Sequence, residues 1–303
     1  MLPRWWKNND LLMTNFIVLK KILFILLLLA VNSKSYCWGF FAHKKINSYA
    51  VFLLPPQMLV LYKTNIDFIA AHAVDPDMRR NVIVEEAPRH YIDIDNYGTY
   101  PYPELPRRWV DAVEKYGEDT LVKNGIVPWH IQTVLYKLTE GFKAKNFIAI
   151  MKNSADIGHY IADAHVPLHT TSNHNGQHTN QKGIHGFWES RVPELLAEKE
   201  LSKQFSTDKK YAFEKRNNIV IRQYSSAFTI AYNKKLDGMV ERRMRLAIYS
   251  IASFWYTAWV NAGQPDLTDL AKQKFSEAEL KEFEKLNETW KDGKVKGREH
   301  DAY

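Results

Sequence analysis

The amino-acid sequence predicts an all-α fold, a single helical bundle with two long loops, and three observations point to it. Apolar residues recur at the helical period along most of the chain. The strand-like pieces, residues 82–84 and 91–94, are short. Residues 38–303 contain no internal repeat, low-complexity linker or break in composition, which predicts one domain.

The elements follow in order. Ile46, Ala50, Val51, Leu53 and Leu54 give a first helix its apolar face, and Pro55-Pro56 ends it. A helix restarts over 58–73, and residues 106–122 and 129–142 read as two more. Residues 147–164 form a long helix that stops near Pro167. Residues 187–199 continue helical, and 219–262 carries two apolar-periodic segments broken near Asp237-Gly238. Ser276 and Glu279 have capping-box spacing ahead of Leu280, Phe283 and Leu286. From Asp292 the chain is charged and reads as a mobile tail. The connections 76–105 and 166–186 are rich in His, Asp, Asn and Gly, and long loops in a compact domain tend to carry function.

The first 37 residues read as a secretory signal peptide, with translation starting at Met1 or Met13. Lys20 and Lys21 precede an apolar run over 22–31, and Ser35 and Cys37 are the small residues before the cut. The run is too short to span a bilayer, so no stable transmembrane anchor is expected and the protein is expected to be periplasmic or secreted. A retained anchor or a lipid on Cys37 are the rival readings. Cleavage after Cys37 removes the single cysteine, which suits an oxidising compartment. It also takes 41 basic residues to 36 and 34 acidic ones to 33, so the mature net charge is only +3 and gives little support for strong polyanion binding.

The chemistry-bearing residues fall into four groups. His159 and Asp163 stand four apart on a predicted helix, one turn apart on one face, which suits a zinc site. Pro167 ends that helix, so His169 can turn back toward the same cavity, whereas His165 lies on another face and reads as structural. His185 and Glu189 repeat the spacing behind Gly183 and Gly186. One such pair is common on salt-bridged helices; two, with His169 between them, are hard to dismiss. Asp75, Asp77 and His90 form a third group, whose plainer reading is a helix-ending turn and a satisfied loop histidine. The fourth is Trp38 with His43: a free α-amine at Trp38 is partly neutral near pH 7 and can donate a lone pair, although His43 alone would read as a packed histidine.

Together these groups resemble the superfamily that joins bacterial zinc-dependent phospholipases C to the single-strand-specific zinc nucleases of fungi and plants. The resemblance runs from Trp38 to about Glu189. It implies three zinc ions. One is held by the amine and carbonyl of Trp38 with His43. Another is held by His90 with Asp77, or with Asp75. His159, Asp163 and His169 follow the family's helix motif, with Asp163 bridging two ions, and His185 and Glu189 close the set. The short gap from Trp38 to His43 and the string from His165 to His169 are nuclease-like. Glu189 and the short loop between His169 and His185 are phospholipase-like. Asn175-Gly176-Gln177 stands where the nucleases carry Gly-Gly-Asn.

The resemblance implies an exported hydrolase that cleaves phosphate esters by metal-activated water, oriented by Asp77 or Asp75. The phosphodiester substrate is a phospholipid in the first reading and single-stranded nucleic acid in the second; a non-catalytic zinc-binding envelope protein is the third. No protein partner is expected. His174 and His178 sit between ligands and read as solvated, and His130 as structural. Tyr91, Tyr97, Tyr100 and Tyr102 can stack bases, rest at a lipid interface or simply cover the rim. Arg79 and Arg80 can reach a phosphate or make salt bridges.

Overall fold

The computed structural model describes residues 39–194 and 238–291. They are helical, with no strand among them. The first helix, α1, spans Phe40–Val51. The predicted helix over 58–73 is two, α2 (Pro56–Thr64) and α3 (Ile66–Ala71), separated at Asn65, whose side chain bonds back to the Leu61 carbonyl at 2.8 Å. A 3-10 turn and the short α4 (Asp75–Arg79) follow. The helix expected over 106–122 is likewise divided, into α5 (Trp109–Tyr116) and α6 (Glu118–Asn124). Gly117 between them has φ +77°, a left-handed conformation that a helix cannot pass through. Then come α7 (Val127–Lys143), α8 (Phe147–Ala164), α9 (Met239–Asn261) and α10 (Glu277–Lys291).

The two strand-like pieces form no sheet. Ile92 N–H reaches the His169 carbonyl at 2.9 Å and Asp93 N–H the Asn124 carbonyl at 2.7 Å, bonds to different segments rather than a ladder. The capping box at Ser276 is present: Ser276 N–H donates to Glu279 Oε2 at 2.7 Å, and Glu279 N–H to Ser276 Oγ at 3.2 Å. Helix α9 begins after Gly238, where the break was expected. The expected signal peptide, Trp38, the segment 195–237 and the tail from Asp292 lie outside the described residues. No described helix is long and apolar enough to cross a membrane.

Helix α8 is the axis of the core. It packs along α7 and against α1, α3 and α9. Trp255 of α9 and Tyr62 of α2 are fully buried with ring centroids 4.9 Å apart. Their polar ends meet Ser154 of α8: Tyr62 Oη lies 2.8 Å from its hydroxyl, and Trp255 Nε1 donates to its carbonyl at 3.0 Å. The apolar payload is thus buried without orphaning a donor. Helices α1 and α8 meet tightly at Gly158, where an added Cβ would lie 2.2 Å from Asn47 Oδ1 of α1. Asn47 Nδ2 bonds the Ala155 carbonyl at 3.2 Å. One turn before Asn47 on α1, and at the residue after Gly158 on α8, the same crossing stacks His43 on His159, with ring centroids 3.9 Å apart and planes 16° from parallel.

Candidate metal centre

Among the described residues, three buried groups of side chains can hold metal ions: His43, His159 and Asp163; Asp77, His90 and His159; and His169, His185 and Glu189. They come from α1, α4, α8, the 3-10 turn Val84–His90, the 3-10 turn Pro167–Thr170 and the turns Ile184–Gly186 and Phe187–Arg191. A tetrahedral ion with bonds near 2.0–2.1 Å needs donors about 3.4 Å apart. The observed separations are close to that. His43 Nε2 is 3.3 Å from Asp163 Oδ1, and His159 Nε2 is 3.2 Å from Asp163 Oδ2. His169 Nε2 lies 3.2 Å from His185 Nε2 and 3.0 Å from Glu189 Oε1, and His185 Nε2 lies 2.8 Å from Glu189 Oε2.

Backbone carbonyls set the imidazole orientations. His159 Nδ1 donates to the Ala73 carbonyl at 2.8 Å, His169 Nδ1 to the His90 carbonyl at 2.5 Å, and His185 Nδ1 to the His174 carbonyl at 3.0 Å. Each bond places the ring proton on Nδ1 and leaves a lone pair on Nε2, as a ligating histidine requires. His159 therefore has one nitrogen to give, and the first two groups share it. Asp163 has two oxygens directed to different donors: Oδ1 toward His43, and Oδ2 toward His159 and, at 2.9 Å, His90 Nδ1.

The charges of the cluster shift one another's protonation. Burial pushes the Asp77 carboxyl up to about 7, with Asp163 and Glu189 reinforcing the rise and His43 opposing it. Burial alone would raise Asp163, but His159 and His169 outweigh it and hold it well below the usual range. Burial would also lower His169, yet Glu189 and Asp163 lift it to about 9; Glu189 is drawn down to about 2 by His185 and His169 against its own burial. Both Asp77 oxygens and Asp163 Oδ1 are buried and accept no hydrogen bond. Buried carboxylates without donors are costly, and divalent cations are what such oxygens with neutral imidazoles accommodate.

The predicted residues fare unequally. His43, Asp77, His90, His159, Asp163, His169, His185 and Glu189 are brought together. Asp75 is not among them: its Oδ2 is 2.8 Å from His72 Nδ1, a partner sequence reading did not assign. Trp38 lies outside the described residues, and the next residue, Gly39, donates its N–H to the Glu189 carbonyl at 3.1 Å. His165 is structural, bonding the Ile161 carbonyl at 2.8 Å and facing Ser250 Oγ of α9 at 3.1 Å. His130 packs edge-on to Tyr160. Tyr91 and Tyr97 belong to the core rather than the rim, whereas Tyr100 is 86% exposed.

Arg79 is drawn inward, to Asp156 at 3.1 Å, the Tyr160 hydroxyl at 3.0 Å and Glu86 at 3.4 Å. Arg80 is buried with Nη1 3.9 Å from Asp77 Oδ1. Two contributors escaped sequence reasoning. Asn175 Oδ1 accepts from the Gly183 and His185 amides at 2.9 and 3.4 Å, fixing entry to the last ligand pair. Glu86 is fully buried beside His90. Asn175 has no spacing signal; Glu86 stands four residues before His90, the spacing of the other His/acid pairs, but in a 3-10 turn where that spacing does not by itself set a shared face.

No protein-family model matches the chain, and neither a curated protein nor a solved structure matches it.

Proposed function

We propose that this chain is a zinc-dependent hydrolase of phosphate esters, phospholipase C-like, and an exported enzyme. The observation that carries the proposal is the convergence of eight buried nitrogen and oxygen ligands, from seven separate turns and helices, on one set of linked groups. Zinc suits a set with no sulfur and mixed imidazole and carboxylate donors. His159, Asp163, His90 and Asp77 would hold one ion, His43 and the second oxygen of Asp163 another with the Trp38 amine, and His169, His185 and Glu189 a third. Bound zinc would offset the charge of a phosphodiester and lower the pKa of water near neutral pH.

The chain's own part is orientation. Ala73, His90 and His174 carbonyls aim three imidazoles, burial excludes bulk water from the carboxylates, and Arg80 stands beside Asp77 where an anionic group can be met by a guanidinium. A nuclease acting on single strands is the second reading, favoured by the short Trp38-to-His43 spacing and the His165–His169 string.

The test is hydrolysis by purified, zinc-loaded protein of phosphatidylcholine and, separately, of heat-denatured DNA. Activity abolished by EDTA and restored by zinc is expected on the lipid. Activity on DNA alone transfers the assignment to the nuclease reading. Zinc bound without turnover of either substrate defeats the hydrolase.

A further inference from the structure

We infer that Glu86 is a positioning residue that holds the ring proton of His90 on Nε2 and so turns Nδ1 toward the metal. The inference rests on the metal reading of the preceding section and names a feature particular to one ligand. His159, His169 and His185 all place their proton on Nδ1, against backbone carbonyls, and offer Nε2. His90 is reversed. Its Nδ1 faces the centre, 2.9 Å from Asp163 Oδ2, 3.1 Å from His159 Nε2 and 3.8 Å from Asp77 Oδ1. Its Nε2 is buried, has no hydrogen-bond partner, and faces Glu86 Oε1 at 3.7 Å. An imidazole that gives Nδ1 to a cation must carry its proton on Nε2, and the group waiting there is a carboxylate. A carboxylate in that place also makes the imidazole a stronger donor than a carbonyl would.

Glu86 is itself held rigidly. Its Oε1 accepts from the Tyr160 hydroxyl, and its Oε2 from Arg89 Nη1 at 2.7 Å, with Arg79 Nε 3.4 Å away. Arg79 in turn bonds Asp156 and Tyr160, tying α4, the Val84–His90 turn and α8 together. Two guanidinium groups balance the two carboxylates, Glu86 and Asp156. The network thus satisfies its own charges, and Glu86 needs no metal to explain its burial. What a self-contained structural role does not explain is why its Oε1 faces the one histidine whose ring is reversed.

Two measurements on protein purified after expression of the full chain decide the matter. In zinc-loaded, ¹⁵N-histidine-labelled wild type, long-range NMR should find His90 protonated at Nε2 and His159, His169 and His185 protonated at Nδ1. In Glu86→Gln, which keeps the shape and an acceptor but loses the charge, chelator competition should show one zinc weakened about 10- to 100-fold and the others unchanged. His90 protonated at Nδ1, or folded Glu86→Gln with wild-type affinity at every site, overturns the inference alone. Wild type that takes up no zinc overturns the metal reading and this inference with it. Should Glu86→Gln fail to fold, Glu86→Asp, which keeps the charge but draws it back from Nε2, takes its place in the competition, and wild-type affinity at every site overturns the inference.

Discussion

His169 and His185 present their Nε2 atoms to one another across 3.2 Å, while the Nδ1 of each is bonded to a backbone carbonyl. In their neutral forms both facing nitrogens carry lone pairs, which repel at that distance. A cation or a proton between them removes the conflict, and Glu189 reaches both nitrogens with separate oxygens.

His185→Ala is therefore expected to weaken one ion by at least about 10- to 100-fold, the scale on which even an outlying partner of a ligand counts. The ions tied to Asp163 should be retained. Metal analysis after gel filtration reads the difference, and equal metal content in variant and wild type would reject the third group.

Asp163 contacts His43, His90 and His159, so Asp163→Ala should lose most of the metal and, with it, activity. Asp77→Asn should follow it in part, whereas Asp75→Asn should keep full zinc content, because Asp75 is committed to His72. Zinc titration of the three variants separates them. Loss of metal in Asp75→Asn with retention in Asp77→Asn would reverse the assignment.

Gly158→Ala should destabilise the fold. The new Cβ would overlap Asn47 Oδ1, at 2.2 Å, in a buried crossing. Overpacking of this kind costs about 1–3 kcal/mol, against which alanine's better helix propensity returns roughly 1 kcal/mol. Adding Asn47→Ala removes the overlap, so the double variant should be less destabilised than the sum of the singles. Urea midpoints measure this; simple additivity would contradict the close approach.

His130 predicts a pH effect on stability. Burial, followed by the charge of Arg89, lowers its pKa from 6.5 to about 3. The folded state then refuses a proton that the unfolded state accepts below pH 6.5. Stability from this group is present above pH 6.5 and is lost as pH falls toward 3, by at most about 1.4 kcal/mol per pH unit. His130→Gln should flatten the decline between pH 6.5 and 5 in denaturant titrations. An unchanged slope would mean that the imidazole is not shielded.

Local patterns were legible in the sequence because they depend on one helix at a time. The pair His159/Asp163, the end of α8 before Pro167 and the capping box at Ser276 follow from a period of about 3.6 residues or from a bond within one turn; His185 and Glu189 also meet four residues apart, although Phe187–Arg191 is wound as a π-helix. The helix divisions at Asn65 and Gly117 were less visible. There the apolar period continues across a backbone change that one residue makes.

The sequence by itself determined an all-helical chain and which side chains could share a helix face. Only the tertiary structure decided that Asp77 and not Asp75 meets His90 and His159, that His72 is Asp75's partner, and that Glu86 lies behind the reversed imidazole of His90. The physical reason is range. Helix geometry is set by neighbours within a turn, whereas those meetings depend on how closely α1 crosses α8 at Gly158 and where the loops return, and packing alone fixes both.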